Sequence, residues 1–242
     1  MTPGFAAAIR GLVPSLSDEA IAKLTAYRDL LAASAREFNL VSASVRGPEA
    51  IERRHIGEAL AFGALLAERG LLADGARVLD VGSGAGLPGL PLKLAWPALD
   101  VTLLEATGKK CRFLDAVASQ LGLQGLSVVE GRAEEVAHDP AHRGAYDLVL
   151  ARAVAPLPVL LEYCLPFVRE GGAMAAIKGS GAQRELAASE AALRELAARL
   201  EQAAELHAPD TPAQTVFILR KTGPTPERYP RRTGIPTKRP IA

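Results

Sequence analysis

Three glycines, Gly82, Gly84 and Gly86, follow directly on the apolar run "RVLDV" (77–81) and precede a segment with helical character. Glycine takes a positive φ without steric cost and lets a backbone come close to a ligand, because it has no Cβ to clash. A bend of this kind between a strand and a helix suits a nucleotide-like ligand. Two acids accompany it. Asp80 stands just before the bend, where a carboxylate can hold an ammonium group directly or through water. Glu105 closes the run "DVTLLE" (100–105), nineteen residues beyond Gly86, and one carboxylate at a strand end accepts hydrogen bonds from both hydroxyls of a ribose.

Two ligand classes use such a bend. Counted from Gly84, "GAGLPG" satisfies the dinucleotide pattern G-x-G-x-x-G and keeps an NAD-dependent oxidoreductase in play. Its register is poor, because the first fingerprint glycine belongs at the strand end, which is Gly82, and the sixth position from there is Leu87. Pro88 and Pro91 are tolerated only in a helix's first turn, so the helix begins after the place where a pyrophosphate would need it. The other ligand is S-adenosylmethionine, which has no phosphate; its methionine moiety would sit in the bend. "GRAEEV" then puts Ala133 and Glu134 where an adenine would lie, and "LARAVAP" puts Arg152 just past a strand's carboxyl end, the rim at which open α/β sheets bind ligands.

Positioning these residues requires a particular alternation of elements. Short apolar runs at 77–81, 100–105, 126–131, 146–151, 173–178 and 215–221 alternate with helical stretches near 88–96, 108–121, 157–169 and 182–204, the last with Leu186, Leu193, Leu196 and Leu200 on one face. Runs buried on both faces and separated by helices give a mostly parallel sheet with helices on both faces, a Rossmann-like α/β fold. The first third reads as helices. Leu16, Ile21, Leu24, Tyr27 and Leu31 recur at helical spacing behind cap candidates Ser15 and Ser17, a second pattern runs from Pro48 to a stop at Gly70, and the polar stretch 37–48 between them is a loop. The expected partition is a helical extension packed on the core (1–72), a core (73–221) and a basic, proline-rich tail (222–242). With five prolines in the last nineteen residues, that tail is expected to be extended rather than packed.

Charge separates along the chain. Residues 220–242 carry seven cations against Glu227, a net +6, leaving −5 on residues 1–219 of a chain whose formal charge is +1. That sign suits nucleic-acid phosphates. Cys111 and Cys164 have no C-x-x-C or histidine spacing, so no disulfide framework and no metal site is expected. No signal-peptide pattern and no membrane-length apolar run occurs, which points to the cytoplasm.

Taken together, the motifs resemble the small-subunit ribosomal RNA methyltransferase G family, also called glucose-inhibited division protein B. The resemblance runs through "NLVSA", "RRHIGEAL", "VLDVGSGAGLPGLPLKLAWP", "LLEATGKKCRFL", "GRAEEV", "ARAVAPL", "AIKG" and "YPRRTGIPTKRPI". It implies a class I methyltransferase fold and methyl transfer from S-adenosylmethionine to N7 of one guanine in the 530 loop of bacterial 16S rRNA, acting as a monomer on the small subunit or its assembly intermediate. Carried over, the cofactor would meet Gly82, Leu87, Glu105, Ala106, Thr107, Ala133, Glu134 and Arg152, with Asp80 and Gly84 beside them. The helix after Arg54 and His55 departs from the family, with Glu58 and Ala59 where relatives often carry an Asp-Ser pair.

N7 of guanine has an in-plane lone pair and no proton, so this chemistry needs no general base, and no catalytic acid or base is assigned. Candidate RNA contacts are Arg54 and His55, Lys109 at the start of a helix where cations oppose the macrodipole, Lys178 at a strand's carboxyl end, and Arg231 and Arg232 in the tail. A methyltransferase acting on a substrate other than RNA, and an RNA-binding protein with a dead cofactor site, remain as alternatives.

Overall fold

The computed structural model describes residues 1–35, 40, 46–209 and 211–241, so the loop expected over 37–48 falls largely outside the described residues. The N-terminal extension opens with α1 (Pro3–Leu12), which buries Phe5 and Ile9. Next comes α2 (Asp18–Ser34), begun by Ser17, whose hydroxyl accepts the Ala20 N–H at 3.1 Å. Leu24, Tyr27 and Leu31 lie on one face of α2 and are fully buried. Then α3 (Pro48–Ile51) and α4 (Glu58–Ala67) are joined by a π-helical stretch, Glu52–Gly57, and the chain turns out at Gly70.

The core alternates β1 (Arg77–Val81), α5 (Gly89–Ala95), β2 (Asp100–Glu105), α6 (Gly108–Gln120), β3 (Leu126–Glu130), α7 (Ala133–Val136), β4 (Tyr146–Arg152), α8 (Leu157–Cys164) and β5 (Val168–Lys178). It continues through α9 (Ala182–Ala187), α10 (Glu190–Glu195), β6 (Ala198–Leu206) and β7 (Gln214–Lys221), and ends with α11 (Ile235–Lys238) in the tail. The described residues form one seven-stranded sheet in the order β3-β2-β1-β4-β5-β7-β6. β1 to β5 are parallel, and β7 runs antiparallel to both β5 and β6.

Successive strand residues point to opposite faces, and each face carries its own core. Val78, Leu103, Leu148 and Leu150 pack against α2, α4, α5 and α6, whereas Leu79, Leu104, Val149 and Phe217 pack against α8, α10 and the tail. The order of strands reverses between β1 and β4, a switch point whose carboxyl rim is the expected ligand crevice. Gly82 and Arg152 stand on either side of it.

Three expectations need correction. The helix expected over 182–204 stops at Glu195, and residues 198–206 form the edge strand β6, with Leu200 opposite Leu219 in the β7 register. Its Ala, Glu, Gln and Leu favour helix, but backbone pairing along β7 and an alternating half-buried and exposed pattern outweigh that local preference. The helix expected over 157–169 likewise yields at Cys164 to a 3-10 turn, Leu165–Phe167, because Pro166 lacks the N–H a helix would use. The tail, expected to be extended rather than packed, is the third correction. Tyr229 and Ile241 are buried in the second core. Arg143 donates to the carbonyls of Thr225, Pro226 and Tyr229 at 2.9–3.2 Å, so one guanidinium fastens the incoming chain.

Candidate active site

The glycine bend is fastened from three sides. The Gly82 and Ser83 N–H groups donate to the Leu104 carbonyl at 2.8 and 3.1 Å, which pins the bend to the end of β2. Glu105 accepts the Gly84 N–H on Oε2 at 3.0 Å and the Thr107 N–H on Oε1 at 2.8 Å, and the Lys110 ammonium lies 3.9 Å from Oε2. Behind the bend, the Tyr27 hydroxyl donates to the Ala85 carbonyl at 2.8 Å. Gly82 has φ +69°, and a Cβ there would come within 2.9 Å of Val154 Cγ2, so a side chain is excluded both by conformation and by space.

Asp80 lies beneath the bend with no exposure. Its Oδ2 accepts the Gly89 N–H at 2.8 Å and so caps α5. A Cβ on Gly89 would fall 2.9 Å from that oxygen, which is why this first helical residue is glycine. Among the described residues, Asp80 Oδ1 is buried with no partner, as is the Ser83 hydroxyl. Burial pushes the Asp80 carboxyl up to about 7; the Gly89 hydrogen bond and Arg152 oppose the rise, and Glu105 adds to it. The same carboxylate occupies the N-terminus of α5, where a dinucleotide's pyrophosphate would have to sit. The dinucleotide alternative therefore finds the first helical N–H already taken by Asp80.

Across the switch point, Arg152 Nη1 donates to Glu58 Oε1 at 2.6 Å, and Nη2 lies 3.3 Å from His55 Nδ1. The π-helical stretch brings His55 there, a local geometry found often at functional sites. Burial, then the positive charges of Arg152 and Arg54, push the His55 imidazole down to about 4, so it is neutral at ordinary pH. With Nδ1 accepting from Arg152, the ring proton is on Nε2, which is buried without a partner among the described residues. Glu58 was missed in the sequence reading. Its position at the departure from the family pattern was the available signal, but only the fold shows that it faces Arg152.

A cavity of about 170 Å³ opens at the rim, lined by Gly82, Leu104, Glu105, Ala106, Gly131, Arg132, Ala133, Glu134, Val154 and Tyr163. It gathers five of the expected cofactor residues: Gly82, Glu105, Ala106, Ala133 and Glu134. Thr107 adjoins it through its bond to Glu105, and Gly84 through the bend. Leu87 is buried in the first core and meets the bend through its own N–H to the Ser83 carbonyl at 2.9 Å. Tyr163 and Val154 were not anticipated. Tyr163 reaches the cavity from α8, and Val154 follows Ala153, whose left-handed φ of +55° turns the chain over Gly82. A larger cleft of about 860 Å³ lies between α7 and the tail but contains none of the glycine bend.

The expected RNA contacts divide. Arg54, Lys109 and Arg232 are exposed. Lys178 is buried, its ammonium donating to the Ala155 carbonyl at 2.8 Å and pairing with Glu185 at 2.7 Å, so it holds the 153–156 loop instead of facing solvent. Arg231 pairs at 2.6 Å with Glu162, a carboxylate with no exposure, and also donates to the Arg239 carbonyl. Both cations are committed to internal partners.

The pocket residues fit S-adenosylmethionine. A carboxylate at the end of β2 suits a ribose, an apolar wall adjoins it, and the buried, unpartnered oxygens of Asp80 and Ser83 lie under the bend where an amino acid's polar end would reach. Among the described residues no helix is long and apolar enough to cross a membrane.

Comparison with known proteins agrees. The chain is 50% identical over 173 residues to ribosomal RNA small subunit methyltransferase G of Symbiobacterium thermophilum, covering 69% of this chain and 70% of that one. It is 38% identical over 232 residues to the same-named protein of Acetivibrio thermocellus, covering 96% and 93%. Among solved structures, a variant of MtNAS in complex with S-adenosylmethionine superposes with a TM-score of 0.55 at 18% identity, covering 81% of this chain and 73% of that one. Precorrin-6y C5,15-methyltransferase of Geobacter metallireducens gives 0.51 at 14%, covering 66% and 87%. These two show the fold, that of the class I S-adenosylmethionine-dependent methyltransferases. The model of the GidB family, rRNA small subunit methyltransferase G, matches residues 20–214, and the chain belongs to that family.

Proposed function

We propose that the protein methylates N7 of one guanine in the 530 loop of bacterial 16S rRNA, with S-adenosylmethionine as donor, and that it works as a monomer in the cytoplasm on the small subunit or an assembly intermediate. The observation that carries the cofactor side is the pairing of Glu105, which ties the bend to β2, with the buried, unpartnered Oδ1 of Asp80 beneath it. When bound, the cofactor supplies an electrophilic methyl group on a sulfonium. Glu105 takes the ribose hydroxyls, Ala106, Ala133 and Glu134 border the adenine, and Asp80 draws in the amino acid's ammonium.

The acceptor nitrogen attacks with a lone pair it already has, so the protein's task is alignment. A guanine methylated at N7 would carry a positive charge on its ring, so the groups around the acceptor would have to tolerate a cation. The surroundings tolerate that charge: Glu58 balances Arg152, and His55 is neutral. Exposed Arg54, Lys109 and Arg232 meet phosphates.

The test is incubation of labelled S-adenosylmethionine with 30S particles and with 16S rRNA from a strain lacking the homologue, followed by nucleoside analysis. The label is expected in 7-methylguanosine at a single position. Label on an exocyclic nitrogen, on a ribose or on protein defeats the reading.

A further inference from the structure

The C-terminal segment touches the cofactor cavity from outside at two points. Tyr163 and Glu134 both line that cavity. The Tyr163 hydroxyl shares a 2.9 Å hydrogen bond with Thr237 Oγ1, and Glu134 Oε1 accepts the Gly234 N–H at 3.1 Å. The segment is itself held firmly: Arg231 is clamped to buried Glu162, and Tyr229, Pro236 and Ile241 are buried. Gly234, at φ +81°, turns the chain into α11 and delivers Thr237 to the phenol. Thr237 therefore comes from a fixed platform.

We propose that Thr237 and Gly234 are positioning residues for the cofactor, fixing Tyr163 and Glu134 and through them the adenosine end of the pocket. This rests on the cofactor site proposed above and extends it to a segment far from the glycine bend in sequence. A phenol pinned at its hydroxyl presents its ring in one orientation before the ligand arrives, so little side-chain freedom is lost on binding. A free phenol would have to be ordered at the moment of binding. The tail's basic charge makes RNA its obvious partner, but these two hydrogen bonds go to residues that line the cofactor cavity.

The experiment compares the full chain with Thr237→Val, Thr237→Ser, Tyr163→Phe and the Thr237→Val/Tyr163→Phe pair. S-adenosylhomocysteine affinity is read by calorimetry, and the kinetic constants for S-adenosylmethionine and rRNA by methyl transfer. Thr237 is exposed, so Thr237→Val should fold normally. Loss of one neutral hydrogen bond predicts an S-adenosylmethionine KM raised about three- to tenfold, with kcat and the rRNA KM within about twofold. Thr237→Ser should behave as wild type, and the pair should be no worse than Tyr163→Phe alone. Unchanged cofactor affinity in Thr237→Val, equal impairment in Thr237→Ser, or a change confined to the rRNA KM overturns the proposal while leaving the cofactor site intact. Failure of the wild-type chain to bind S-adenosylhomocysteine overturns the site itself.

Discussion

Glu105 accepts the backbone N–H of Gly84 at 3.0 Å, so the carboxylate expected to grip a ribose also fixes the curvature of the bend beside it. The two roles are compatible because an ionised carboxylate has about four lone-pair sites, and Gly84 and Thr107 take only two.

Glu105→Ala removes both roles at once. Hydrogen bonds to a charged group are worth about 1.5–3 kcal/mol each, so S-adenosylhomocysteine should bind at least about 100-fold more weakly by calorimetry. Glu105→Gln, which keeps one acceptor oxygen, should lose less. Equal affinity in wild type and Glu105→Ala would confine the residue to holding the bend.

Asp80 gives the protein a pH signature. Its folded value of about 7 lies above the ordinary carboxylate range. Between the two the folded chain keeps a proton that the unfolded chain has released, so this residue's contribution to stability falls as pH rises through that window and stays low above it. Asp80→Asn still offers Gly89 an oxygen and lacks the titration. The wild-type melting temperature should therefore decline relative to that variant between about pH 4 and about pH 8. An ammonium ligand favours the charged carboxylate, so cofactor binding near neutral pH should release a proton, seen as a buffer-dependent enthalpy that Asp80→Asn abolishes. A flat difference across the range excludes the buried, protonated carboxyl.

Glu58→Ala frees the Arg152 guanidinium from its 2.6 Å partner at the switch point. Arg152 is an expected cofactor residue, and a hydrogen bond to a charged group is worth about 1.5–3 kcal/mol, so S-adenosylhomocysteine should bind about 10- to 100-fold more weakly once the guanidinium is misplaced. Retained cofactor affinity with a lowered kcat would move Arg152 from the cofactor to the acceptor side.

Neighbouring arginines of the tail should behave differently. Arg231→Ala strands the fully buried Glu162 carboxylate, at a cost of about 3 kcal/mol, and should lower the melting temperature before it affects RNA. Arg232→Ala should leave the melting temperature alone and reduce the salt dependence of RNA binding by about 0.7 in the logarithmic slope, one phosphate's share for a single strand. Identical effects of the two changes on stability would contradict the clamp.

The bend and its acids were legible because local chemistry dictates them: glycines where φ is positive, an acid at a strand end, prolines only in a first turn. Strands buried on both faces were legible for the same reason. What escaped depends on contacts distant in sequence. Residues 198–206 carry helix-favouring side chains, and only the ladder to β7 makes them a strand. Lys178 and Arg231 read as surface cations because nothing nearby in the sequence announces Glu185 or Glu162. Tyr27, Glu58 and Tyr163 reach the site from helices whose patterns speak only of packing.

The hydroxyl of Tyr27 on the Ala85 carbonyl makes the appended helices part of the ligand loop's own scaffold. Stripped of residues 1–72, the nucleotide-binding half would expose a greasy sheet surface and leave a loop oxygen begging for a donor. The sheet and the helical cap thus share one buried face, and a change that loosens the cap frees the Ala85 carbonyl of the glycine bend.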